Sequence, residues 1–60
     1  MTRKDYVRVS TVINTERIGA TSPDVLESLE RVAGDLAAWF AGDNPRFDKG
    51  RFLAACGFGN

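Results

Sequence analysis

Residues 22–43 read SPDVLESLERVAGDLAAWFAGD, and this stretch decides the fold of the 60-residue chain. Ser22 is a good helix N-cap, and Pro23 suits the first helical position because its missing N–H would be unpaired there. Asp24 complements the positive end of the helix dipole. The run of glycine, aspartate, asparagine and proline over residues 42–45 disfavours a helix. The stretch therefore predicts a long helix 2 over residues 23–41.

Helix 2 has two adjoining apolar faces, which together are too broad for one neighbouring element to cover. One face contains Leu26, Leu29, Ala33, Leu36 and Phe40, and the other contains Val25, Val32, Leu36 and Trp39. We expect two other helices or a second subunit to cover them. Gly34 lies within this pattern and is expected to permit a close helix crossing.

Four residues of helix 2 are the candidate protein interface: Val32, Leu36, Trp39 and Phe40. Tryptophan is enriched at binding hot spots. In so short a chain, Trp39 fits the core and an interface equally well. Surplus apolar surface therefore predicts either self-association or a protein partner.

Helix 1 is predicted over residues 3–17. Thr2 and Asp5 resemble a capping box, and Tyr6, Val9, Ile13 and, less regularly, Val12 have helical spacing. Many β-branched residues leave a strand over 6–13 as the alternative, but such a strand would have no pairing partner. Gly19 suits a left-handed residue that follows the helix.

Helix 3 is predicted over residues 49–56. Asp48 is a candidate N-cap, which places Phe47 and Phe52 at the two positions of a hydrophobic staple. Gly57 suits the position just beyond the helix end. The fold class is therefore all-α, a small three-helix domain over residues 1–60, with a dimer as one way to cover helix 2.

The composition argues against an enzyme. The chain has one cysteine and no histidine, so it can form no intramolecular disulfide and lacks the usual zinc ligands. Cys56 has no histidine base and lies near the C-terminus of helix 3, where the helix dipole disfavours a thiolate, so a buried core thiol is favoured over a reactive one. Glu27 and Glu30 are interpreted as a solvated face. We expect no catalytic residue, cofactor, metal or small-molecule substrate.

Net charge is zero, but it is unevenly distributed. Residues 21–43 have one cation against five acids, whereas both flanking segments are basic. The simplest expectation is that these segments attract one another or a second copy. The N-terminus lacks the apolar run of a signal peptide, and no stretch is long enough to span a membrane, so a soluble cytoplasmic protein without a membrane partner is expected.

A basic patch supports a second hypothesis. Arg46, Lys49 and Arg51 alternate with Phe47 and Phe52, as in some nucleic-acid-binding surfaces. In this alternative, helices 2 and 3 form a helix-turn-helix-like pair in a small DNA-associated regulator. The zero net charge and the short final helix favour the interaction module instead.

The segment NPRFD at residues 44–48, followed by RFL at 51–53 and ACG at 55–57, resembles the C-terminal signature of small uncharacterised tailed-bacteriophage and prophage proteins. The opening residues 3–6 are similar to their start. Gly50 departs from the pattern, which has a better helix former there. The resemblance implies a phage or prophage product in the bacterial cytoplasm and carries no activity. With the apolar face of helix 2, it predicts a non-enzymatic accessory protein that binds itself, a host protein or a phage protein.

Overall fold

The computed structural model describes residues 2–59, and within them the chain forms three helices and no strand. They are α1 (Arg3–Gly19), α2 (Pro23–Asp43) and α3 (Lys49–Cys56). The all-α three-helix prediction is thereby confirmed, and the strand alternative for residues 6–13 is wrong. Met1 and Asn60, the ends of the predicted domain, lie outside the described residues.

Each helix begins at a local signal, which is a hydrogen-bonded aspartate in α1 and α3 and a proline in α2. Ser22 takes the predicted N-cap position of α2, but its side chain makes no capping hydrogen bond. The Asp5 carboxylate accepts hydrogen bonds from the backbone N–H of Thr2 at 2.9 Å and from its hydroxyl at 3.2 Å. Pro23 occupies the first turn of α2. Asp48 accepts a hydrogen bond from the N–H of Arg51 at 3.0 Å. These starts agree with the sequence pattern because N-capping depends on residues close in sequence.

Two helices extend beyond their predicted ends. α1 continues through Gly19 and α2 through Asp43, each two residues past the prediction. Gly19 is helical and has no positive φ, so the predicted left-handed residue there is wrong. The left-handed glycine of the described chain is Gly57, with φ of 97° directly after α3. There the Phe58 N–H donates to the Leu53 carbonyl, which closes the helix end.

The core lies where α3 packs against both longer helices, most extensively against α1. Its buried apolar residues come from all three helices: Ile13, Ala33, Ala37, Phe40, Phe52 and Cys56. Gly34 does not serve a close helix crossing, since a Cβ there would meet nothing within 4 Å outside its own turn. Val12 is 59% exposed and is not part of the buried face of α1.

Candidate functional site: an apolar stripe and an arginine groove

Three large apolar side chains of α2 remain exposed in a row along the helix. Val25 is 47% exposed, Val32 49% and Trp39 70%. They are seven residues apart, so they share one side of the helix. We call this row the apolar stripe. Isolated exposed apolar residues are ordinary on protein surfaces. α1 also exposes Val7, Val12 and Ile18, but these are not evenly spaced along the helix, whereas the exposed residues of α2 form one row.

The apolar stripe continues into the half-buried residues Leu29 and Leu36. With them it alternates steps of four and three residues from position 25 to position 39, which is the repeat that lets two helices pack along a common seam. The neighbouring face of α2, with Ala33, Ala37 and Phe40, is already buried against α1 and α3. One helix thus has an intramolecular face and, beside it, a seam whose inner residue Leu36 touches the core and whose outer residues are exposed.

The outer border of the apolar stripe is polar and mostly small. Ser28, Arg31 and Asp35 are all exposed, and an Arg31 guanidinium nitrogen donates a hydrogen bond to the Ser28 hydroxyl at 3.3 Å. Asp35 lies one turn further along the same side. The border therefore presents a cation and an anion at adjacent positions.

The predicted interface is only partly at the surface. Phe40 is 7% exposed and belongs to the core, so its assignment as an interface residue is wrong. Its ring lies 5.0 Å from that of Tyr6, 5.5 Å from Phe47 and 5.6 Å from Phe52, measured between centroids. Helical periodicity alone could not separate Phe40 from Trp39, because the broad apolar face gave no sign of where the core ends.

A second surface feature is an open groove of about 680 Å³ between the first half of α1 and the segment that leads into α3. Arg3, Arg46 and Arg51 line it, and we call it the arginine groove. Lys49, which the sequence grouped with Arg46 and Arg51, is not among the lining residues. Arg3 was missed because it is distant in sequence and reaches this surface only through the packing of α1 on α3.

The floor of the arginine groove is formed by Tyr6, Phe47 and Phe52. Phe47 lies 4.7 Å from Tyr6 and 5.5 Å from Phe52 between ring centroids, with tilted ring planes. These rings pack against one another at tilted angles. Phe47 and Phe52 also take the positions of the staple at the start of α3. The floor is therefore primarily structural.

The arginines of the basic segments meet one another at this groove. The arginine side chains that do donate hydrogen bonds, Arg17 and Arg31, donate to Asn14 and Ser28. Neither hydrogen bond joins a basic end of the chain to an acid of its middle, so these contacts do not show the expected attraction between those segments. The chain instead presents an arginine-lined groove and an acidic α2.

Cys56 is completely buried in the core, and burial raises the pKa of its thiol. A raised pKa keeps the sulfur protonated and unreactive at neutral pH. Glu27 and Glu30 are both exposed. Among residues 2–59, no group of three or more acidic or cysteine side chains is placed to hold a metal ion. No helix of that region has the length and apolar character needed to cross a membrane.

Comparison with known protein families, with curated proteins and with solved structures found no significant match to this chain.

Proposed function

We propose that this protein is a non-enzymatic interaction module that binds another protein helix through the apolar stripe. The observation that carries the proposal is the exposure of Val25, Val32 and Trp39 at regular spacing beside a complete core. Burying such side chains against a partner removes apolar surface from water, which contributes roughly 25 cal/mol for each Å².

The geometry favours a helical partner. α2 has 21 residues, and a helix of that length is about 31 Å long. The apolar stripe presents apolar groups along this length at the spacing of a two-helix seam. Trp39 supplies the largest side chain of the row, and tryptophan is a frequent anchor at interfaces.

The cellular setting of this role rests on the C-terminal resemblance alone. If the NPRFD segment marks a phage or prophage product, the partner is a host protein, a phage protein or a second copy in the bacterial cytoplasm. The proposed mode of binding does not depend on that setting, because it follows from the exposed side chains of α2.

Site-specific photo-crosslinking tests the proposal. A photoreactive phenylalanine derivative is placed at position 39 of the full chain, and a control variant carries it at position 12. Trp39 and Val12 are both exposed, at 70% and 59%, but Val12 lies on α1 outside the apolar stripe. We expect discrete crosslinked species from position 39 and none from position 12 in bacterial cells. Equal crosslinking from both positions, or none from position 39, contradicts the proposal.

A second candidate function is phosphate binding in the arginine groove. The specific observation is that Arg3 joins Arg46 and Arg51 around one concave surface. Filter binding of labelled duplex DNA at low salt tests it. Contacts from three cations predict a log–log salt slope near −3, at about −0.9 for each phosphate contact. Absent binding, or binding that does not change with salt, rejects this candidate.

A further inference from the structure

We infer that the occupant of the apolar stripe is α2 of a second copy of this chain, running antiparallel and crossing near Val32. This inference rests on the proposed function and names the partner. A surface that binds itself about a two-fold axis needs the same patch on both subunits and complementary charges across the axis. The apolar stripe and its polar border meet both requirements.

The apolar requirement is met by the symmetry of the row. Val32 lies midway between Val25 and Trp39 along the helix. Rotation about an axis near Val32 therefore brings the Val25 end of one copy to the Trp39 end of the other. A small valine at one end then faces a large tryptophan, which suits interdigitated packing better than two tryptophans side by side.

The charges select the antiparallel direction. In a parallel pair, the two-fold axis runs along the helices and places the polar border of one copy against the opposite side of the other, where Ala33 and Phe40 are buried, so Asp35 gains no cation there. In an antiparallel pair crossing near Val32, Asp35 lies beside Ser28 and Arg31 of the second copy. Two equivalent Asp35–Arg31 pairs then flank the seam, and the helix dipoles oppose each other favourably.

The remaining acids of the middle of α2 do not oppose this arrangement. At 100° per residue, Glu27 and Glu30 lie on other sides of the helix from the apolar stripe. Asp24 falls on the same side of the helix as Asp35, and Asp43 falls in line with Val25, so these two acids lie at the ends of the seam. Two acidic helices can pair because the charge at the centre of the seam, where Asp35 meets Arg31 of the second copy, is balanced.

Sedimentation equilibrium of the purified full chain tests the occupant. We expect a reversible monomer–dimer equilibrium, Val32→Asp to be monomeric over the same concentration range, and the matched control Val12→Asp to dimerise like the wild type. Thermal melts confirm that both variants fold. A wild-type chain that stays monomeric to millimolar concentration overturns self-pairing. Crosslinking from position 39 to another protein would then still support the proposed function.

A charge-exchange series tests the direction. Arg31→Asp and Asp35→Arg should each raise the dimer dissociation constant about fivefold or more, because two exposed ion pairs become repulsive. The double variant Arg31→Asp/Asp35→Arg should restore dimerisation close to the wild-type level, since the pairs re-form with opposite sign. Single variants that bind like the wild type, or a double variant weaker than both, overturn the antiparallel pairing.

Discussion

The same substitution, glycine to alanine, should have opposite effects at two positions of this chain. Gly34 is in the middle of α2, where an added Cβ meets nothing within 4 Å outside its own turn. Gly57 follows α3 with φ of 97°, and an added Cβ there would collide with the Arg17 guanidinium group. Gly34→Ala therefore tests helix propensity alone, and Gly57→Ala tests the left-handed helix end.

The magnitudes follow from the backbone. Replacing glycine by alanine inside a helix stabilises by up to about 1 kcal/mol, so Gly34→Ala should raise the free energy of unfolding by that amount. A left-handed L-residue costs about 1–2 kcal/mol, and Gly57→Ala should lower stability by at least that. Because 1 kcal/mol shifts the midpoint of a 60-residue domain by about 4–8 °C, the two variants should melt at least about 8 °C apart.

Thermal unfolding followed by circular dichroism at one protein concentration measures both variants. The double variant Arg17→Ala/Gly57→Ala, compared with Arg17→Ala, separates backbone strain from the collision. If strain dominates, Gly57→Ala costs the same in both backgrounds, because a flexible arginine moves aside cheaply. Gly34→Ala less stable than wild type, or Gly57→Ala equal to it, would refute the assignment of these two backbone environments.

Three further predictions concern single side chains. The buried Cys56 thiol should react with a disulfide reagent only as fast as the protein unfolds. Because burial raises the pKa of this thiol in the folded state, the free energy of unfolding should fall as the pH rises past the unfolded thiol pKa, near 8.5. The backbone hydrogen bond from Thr2 lowers the pKa of Asp5 in the folded state. The ionised Asp5 carboxylate therefore stabilises the fold above the unfolded pKa of Asp5, and this stabilisation is lost as the pH falls through its folded pKa. In thermal melts at a series of pH values, Asp5→Asn should reduce the loss of stability at acidic pH. Phe47→Ala should destabilise by about 2–4 kcal/mol in urea titrations, less than full truncation of a buried phenylalanine, since Phe47 is half-buried; a loss below 0.5 kcal/mol would contradict its place in the aromatic cluster.

The sequence predicted the helices well because their starts depend on neighbouring residues. Ser22 with Pro23 and Asp48 with Phe47 each specify a helix start within a few positions. The ends were less predictable. Gly19 was assigned outside α1 from its residue type, whereas the structure keeps it as the last helical residue, and the chain becomes extended at Ala20.

The sequence could not divide the apolar surface of α2 between core and interface. Periodicity identifies which residues share a side of a helix, but burial depends on where other helices lie. α3 has eight residues against 21 in α2, so a short helix covers only part of a long one. Phe40 and Trp39 are adjacent in sequence and about 100° apart around α2, so Phe40 packs against Tyr6 and Phe52 while Trp39 stays exposed.

Zero net charge concealed a separation of charge that appears only in three dimensions. Arg3 and Arg51 come from opposite ends of the sequence and meet in the arginine groove, while Asp35 lies beside the apolar stripe. Net charge bears on a general attraction to polyanions, but it carries no information about local fields. The Asp35–Arg31 border is the case in which this matters most, because one anion and one cation spaced a turn apart distinguish the two directions in which identical helices can pair.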